Sequence, residues 1–185
     1  MSRLMLLIIG IATGIASAQE TPIDWKSAER QINRLSPSSF TALPAGIRKE
    51  LEHRGCTIPQ VWDDAHPHNV EQGYFTSSKT KDWIILCSVK GISSILVFHG
   101  GVSKPFAQLD TCSDATYLQG TLPGKAGFSH KIRAISAEDI RGYCKLWEHQ
   151  CPPITHDGIE DIFVDKASSI YYRTNGKWLT LEGAD

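Results

Sequence analysis

The stretch from Asp82 to Gly101 reads DWIILCSVKGISSILVFHGG. It contains two short runs of apolar and β-branched residues, Asp82 to Ser88 and Ser93 to Gly101, separated by Lys90-Gly91. Runs of this kind bounded by turn residues are typical of buried strands. The stretch therefore predicts two adjacent strands joined by a turn, and we expect a preceding strand over about Val70 to Phe75 to join them.

The C-terminal segment repeats this organisation. Residues Asp161 to Leu181 read DIFVDKASSIYYRTNGKWLTL. The pattern predicts a strand, a turn and a second strand, followed by Asn175-Gly176, which is a strong signal for a two-residue hairpin. A last strand is expected over Lys177 to Leu181.

The two segments resemble each other when they are aligned. Asp82 to Ile85 can be placed over Asp161 to Val164, and Ser93 to Val97 over Ser168 to Tyr172. One interpretation is a duplicated β-meander unit that buries its apolar face against a second copy. The other is that two short hairpins are similar by chance.

Two short amphipathic helices are expected outside these strands. The first begins at Pro44, which a first helical turn accepts, and ends before Gly55. The second runs from about Ala137 to Glu148 with Ser136 as its N-cap. The predicted fold class is therefore α+β, with an antiparallel sheet built from two similar β-meander units.

The N-terminus predicts export. Arg3 precedes an apolar run from Leu4 to Ile15, and Ala16-Ser17-Ala18 is typical of a signal peptidase site. We expect residues 1–18 to be a signal peptide and residues 19–185 to form a single domain that is secreted or periplasmic. No later segment is apolar enough to span a membrane. The 19 basic and 20 acidic residues nearly balance, which argues against nucleic acid as a partner.

Five cysteines follow the expected cleavage site, and an oxidising compartment favours disulfides between them. We expect Cys56 to pair with Cys87 and Cys144 with Cys151, although sequence alone permits other pairings. Cys112 is then the odd thiol. It is interpreted as a reactive nucleophile, an intermolecular bridge or an inert thiol.

One segment resembles a known family. The residues HDGIEDIFV, from His156 to Val164, are followed by the strand, turn and strand described above. This pattern resembles one unit of the FG-GAP or VCBS-type β repeats, and the resemblance covers about residues 69–101 and 155–181. It implies an extracellular β unit whose acidic loop binds calcium, although Thr155 stands where the family has an earlier aspartate.

The acidic loop supplies the candidate calcium ligands. They are the four carboxylates Asp157, Glu160, Asp161 and Asp165. Calcium prefers several carboxylate oxygens on a tight loop, and Gly158 permits such a turn. The alternative is that Asp157 and Gly158 form a simple turn and Asp161 starts a strand.

A second candidate metal site contains two histidines. His66 and His68 lie close to Asp63 and Asp64, and alternate residues of an extended segment face the same way. Both imidazoles could then bind one transition metal.

Catalytic motifs are absent from the sequence, which has no G-x-S-x-G elbow, phosphate-binding glycine loop or H-E-x-x-H helix. We therefore assign no catalytic residue and no cofactor other than calcium. The sequence favours a binding or interaction module of the cell envelope, with a protein or a carbohydrate as its partner. The alternative is a cell-envelope hydrolase that uses histidine and carboxylate groups.

Overall fold

The computed structural model describes residues 21–148 and 150–184, and the expected signal peptide, residues 1–18, lies outside them. Within the described residues the chain forms three α-helices and twelve strands. The helices are α1 (Trp25–Arg30), α2 (Ala45–His53) and α3 (Ala137–Leu146). The strands are β1 (Arg34–Leu35), β2 (Ile58–Pro59), β3 (Val70–Gly73), β4 (Asp82–Val89), β5 (Ile92–Phe98), β6 (Ala107–Ser113), β7 (Leu118–Leu122), β8 (Lys125–Phe128), β9 (His130–Ile135), β10 (Gly158–Phe163), β11 (Ala167–Thr174) and β12 (Lys177–Glu182).

Two four-stranded antiparallel sheets dominate the fold. The first sheet has the order β3-β4-β5-β6, and the second has the order β9-β10-β11-β12. Lys90 and Gly91 have φ of 52° and 79°, and Asn175 and Gly176 have φ of 48° and 80°. Two successive positive φ values match the twist of a tight hairpin, so both predicted turns form. The α+β prediction is confirmed.

The sheets pack face to face and each carries a helix on its outer side. Alternate residues of a strand point to opposite faces. In β4, Ile84 and Leu86 accordingly contact the second sheet, whereas Ile85 packs towards α2. The outer face of the second sheet packs against Ile140 and Cys144 of α3. The result is four layers: helix, sheet, sheet, helix.

The two aligned sequence segments occupy equivalent places in the two sheets. Strands β4 and β10 are each second in their sheet, and β5 and β11 are each third. Both sheets pass through their four strands in chain order. Two similar four-stranded sheets fit the two predicted meander units.

The two predicted helices are present, although α3 ends at Leu146, two residues before the expected Glu148. Gly55 follows α2 with φ of 70°, and the Ser136 side chain caps α3 by accepting from the Asp139 amide at 3.1 Å. A third helix, α1, was not expected, because its six residues are too few to show a helical apolar period. Among the described residues no helix has the length and apolar character needed to cross a membrane.

One disulfide connects the segment after α2 to the first sheet, and the other closes the loop that follows α3. Cys56 pairs with Cys87 of β4, with Cα atoms 5.4 Å apart, and Cys144 of α3 pairs with Cys151, with Cα atoms 6.0 Å apart. This is the pairing that the sequence suggested. Cys112 is the free cysteine.

Asn69 joins the first sheet to the second. It is fully buried and has φ of 68°, a conformation that asparagine tolerates better than most residues. Its Nδ2 donates to the carbonyls of Pro59, at 2.7 Å, and His130, at 3.0 Å, while its Oδ1 accepts from the Ile132 amide at 2.9 Å. One side chain therefore holds β2 and the start of β9 in place.

We predict that Asn69→Ala lowers the free energy of unfolding by about 3 to 5 kcal/mol, because three buried backbone groups lose their hydrogen-bond partner. Asn175→Ala is the matched control, since Asn175 also has a positive φ but is exposed at a hairpin turn. Asn175→Ala should lower the free energy of unfolding by only about 1 kcal/mol, because alanine tolerates a positive φ less well than asparagine. Urea denaturation of both variants measures the difference, and equal losses would show that the Asn69 amide is not a structural joint.

Candidate functional site

Three ionisable side chains meet between the sheets. They are Asp110 of β6, His130 of β9 and Asp161 of β10, and one ligand atom from each lies within 4.8 Å of the others. His130 and Asp161 are buried, and Asp110 is half-buried. We call this group the Asp-His-Asp cluster.

A β-bulge brings Asp110 to the cluster. Ser94 of β5 pairs with Thr111, and its neighbour Ile95 pairs with Leu109, so Asp110 is an extra residue without a partner. Its φ of 38° is in the left-handed region that non-glycine residues rarely adopt. Bulges re-aim side chains and often lie next to functional sites. The strained residue Asp110 thus presents its carboxylate to His130 and Asp161.

Strand register brings Asp161 to His130. Asp161 is paired with Ile132, and Phe163 is paired with His130, so Asp161 and His130 are diagonal neighbours on one face of the sheet. The His130 Nε2 lies 2.5 Å from the Asp161 Oδ1, so the two side chains are in direct hydrogen-bond contact. The other ring nitrogen, Nδ1, is buried and has no hydrogen-bond partner among the described residues.

Tyr117 fixes the plane of the His130 ring. The two rings are stacked, with centroids 3.7 Å apart and an interplanar angle of 11°. Tyr117 ends a 3-10 turn that begins at Asp114, and Asp114 is fully buried. The Asp114 carboxylate accepts from Arg34 at 2.7 Å and from the hydroxyls of Ser88 and Ser93 at 2.7 and 2.5 Å. Asp114 thus anchors the turn that carries Tyr117.

The cluster creates a negative local field. Burial raises the pKa of the Cys112 thiol to about 12, and the Asp110 carboxylate adds to this shift through its charge and a 3.6 Å contact with Sγ. Burial and then the charges of Asp161 and Asp110 raise the pKa of Tyr171 to about 12. The pKa of Tyr117 is also raised, by burial and then by Asp161. The Cys112 thiol and the Tyr117 and Tyr171 hydroxyls therefore all resist ionisation, first because they are buried and second because carboxylates lie nearby.

The cluster has the chemistry of a cation site. Two carboxylates and one imidazole are donors that divalent first-row transition metals accept. Ligand atoms around a zinc ion lie roughly 3.4 Å apart, as tetrahedral bonds of about 2.1 Å require, and the ligand atoms of the cluster lie within 4.8 Å of one another. A metal bound at Nδ1 would instead have Asp110 and His130 as its ligands, with Asp161 holding Nε2 as a supporting contact.

The four predicted calcium ligands are not brought together. Asp157 accepts from the Tyr74 amide at 2.9 Å, and Asp165 lies exposed in the turn at the other end of β10. Glu160 and Asp161 point to opposite faces of that strand, and Glu160 binds Arg133 at 2.6 Å and Ser168 at 2.8 Å. Of the four, Asp161 alone belongs to the cluster.

The two histidines of the second predicted metal site both lie near the Asp64 carboxylate, with Nδ1 of His66 at 3.8 Å and Nδ1 of His68 at 3.5 Å, but they differ in burial. His68 is buried, with Nε2 accepting from the Val61 amide at 2.8 Å and Nδ1 lying 2.9 Å from the His66 carbonyl. The His66 side chain is 95% exposed. Asp64 binds Lys131 at 2.9 Å, and this hydrogen bond is the main cause that lowers its pKa to about 2. Asp63 is exposed.

Sequence reasoning missed Asp110 and His130 as site residues. They are far from Asp161 in the chain and form no motif of fixed spacing. One usable signal was the alternation His130, Ile132, Ala134, which predicts a strand with His130 on its apolar face. The bulge at Asp110 had no comparable signal.

The raised pKa of Cys112 predicts that its thiol reacts slowly in the folded protein. At pH 8 a thiol with a pKa of about 12 is ionised in about one molecule in ten thousand, whereas an ordinary cysteine is ionised in about one in four. The folded protein should therefore react with a disulfide reagent at least about a hundredfold more slowly than the urea-unfolded, unreduced protein. A single labelled cysteine, Cys112, is expected after unfolding. Equal rates in the two states would contradict the shift.

Comparisons with known proteins add no relative: no family model, curated protein or solved structure matches this chain.

Proposed function

We propose that this protein is an exported binding module of the cell envelope whose ligand is a divalent transition-metal ion. The observation that carries the proposal is the convergence of Asp110, His130 and Asp161, with their ligand atoms within 4.8 Å of one another. The Asp-His-Asp cluster would hold the ion between the two sheets.

Charge balance supports a cation at this place. Asp161 has His130 as its salt-bridge partner, and Asp110 has no such partner among the described residues. The cluster thus contains two carboxyl groups and one imidazole, and no other cationic side chain pairs with them among the described residues. Unbalanced charge is costly away from water, and a divalent ion would neutralise it.

Preorganisation supports the same conclusion. Asn69 accepts from the Ile132 amide and donates to the His130 carbonyl, and Tyr117 stacks on the imidazole. A ring held in this way loses little conformational freedom when it binds a ligand.

A hydrolase of the cell envelope is the second candidate, favoured by the contact between His130 and Asp161. A base oriented by a carboxylate is a common arrangement in general acid–base catalysis. A substrate must reach that base, however, and both residues are at least 95% buried. The geometry therefore supports ion binding better than catalysis.

We predict that Asp110→Asn weakens the binding of Zn²⁺ or Mn²⁺ by at least about tenfold. Losing a metal ligand should weaken binding at least as much as losing a residue that only hydrogen-bonds to a ligand. Asparagine keeps the shape of the side chain and tolerates the positive φ. Metal at a hundred times the dissociation constant should stabilise the wild type by about 2.7 kcal/mol. Equilibrium dialysis and thermal melting measure both effects.

Asp165→Asn is the matched control, because Asp165 also has a positive φ, 60°, but is exposed in a turn. It should bind Zn²⁺ or Mn²⁺ like the wild type. The calcium hypothesis predicts the opposite pattern, in which Asp165→Asn reduces Ca²⁺ binding and Asp110→Asn does not. Equal transition-metal affinity in the wild type and Asp110→Asn would refute the proposed site.

A further inference from the structure

A polar cleft of about 340 Å³ lies where the ends of the two sheets meet, away from the Asp-His-Asp cluster. Its walls come from the loop after β3, the loop before β10 and the end of β11. The lining contains one arginine, one histidine, an amide and several hydroxyls, and no carboxylate belongs to it. The lining side chains therefore offer one permanent cation and neutral hydrogen-bonding groups.

Arg173 is the cationic centre of this cleft. Its Nη1 lies 3.3 Å from the Thr76 carbonyl and its Nη2 lies 3.4 Å from the Gly176 carbonyl. The guanidinium carbon lies 5.0 Å from the centre of the Phe106 ring. No carboxylate is within salt-bridge distance of Arg173 in the part of the chain that the structure describes. The guanidinium is thus held in place while its charge is not neutralised.

His99 shares two neighbours with Arg173, namely Thr76 and Phe106. Its Nδ1 lies 2.8 Å from the Thr76 hydroxyl and 3.0 Å from the Asp82 Oδ1, and Asp82 is fully buried. These contacts use Nδ1, and the side chain is 45% exposed. The His99 ring also lies 6.0 Å from the ring of Phe106, which is 47% exposed. The Phe106 ring therefore lies close to both the guanidinium and an oriented imidazole.

We propose that this Arg173 cleft binds a hydroxylated small molecule through an oxyanion, either a carboxylate or a phosphate. Arginine presents paired N–H donors that match the oxygens of both groups, and its contact with Phe106 reduces the entropy lost on binding. The hydroxyls of Ser77, Thr155 and Thr174 line the same cleft and offer hydrogen bonds to the remainder of the ligand. The Arg173 cleft shares no lining residue with the Asp-His-Asp cluster.

The test is titration of the isotopically labelled protein, followed by NMR, in a buffer containing a chelator. The chelator prevents an anion bound through a metal from being mistaken for the cleft ligand. Glucuronate and glucose 6-phosphate are the probes with a carboxylate and a phosphate, and glucose is the neutral comparison. The backbone amides of Thr155, His156 and Asn175 should shift with one or both anions and not with glucose. The anion with the lower dissociation constant shows whether the cleft prefers a carboxylate or a phosphate.

Arg173→Gln should weaken binding of the preferred anion by about tenfold or more, the usual effect of losing a charge-assisted pair. Arg173→Lys should recover part of the affinity, since it keeps the charge and loses the paired donors. Arg54→Gln, at the end of α2, should bind like the wild type. The proposal is wrong if neither anion shifts the cleft amides, if glucose shifts them equally, or if Arg173→Gln binds as well as the wild type.

Discussion

The hydrogen bonds of the Asn69 amide link the two sheets and fix the start of β9. The Pro59 and His130 carbonyls and the Ile132 amide all use this one side chain, which is fully buried. Backbone groups buried without partners are costly, so these segments can be buried only where such a side chain satisfies them. At this position Asn69 adopts a left-handed backbone conformation, which is strained for a non-glycine residue.

The Asp-His-Asp cluster depends on this joint and on two further restraints. Asn69 sets the position of His130, the bulge in β6 presents Asp110, and the buried Asp114 anchors the turn that stacks Tyr117 on the imidazole. Each restraint comes from a different part of the chain. The cluster itself concentrates negative charge and includes a strained residue, and natural proteins commonly give up stability in this way at functional sites.

The sequence predicts the apolar parts of this fold better than its polar site. Strands β4 and β5 are almost entirely buried and bounded by turn residues, and both hairpin turns carry glycine, so local chemistry identifies them. Strand β6, which carries Asp110, reads AQLDTCS and shows no clean alternation because the bulge interrupts its period. The cluster arises from strand register and a tertiary hydrogen bond between distant residues, neither of which is encoded by local spacing.

A crystal of the protein soaked with Zn²⁺, with diffraction measured at the zinc absorption edge, would locate the metal directly. We expect an anomalous peak about 2.0 to 2.2 Å from an oxygen of Asp110 and a nitrogen of His130, with Asp161 either as a third ligand or bonded to the other ring nitrogen. A peak confined to the exposed His66, or to the acidic loop from Asp157 to Asp165, would contradict it. So would a well-ordered cluster with no anomalous density at saturating zinc.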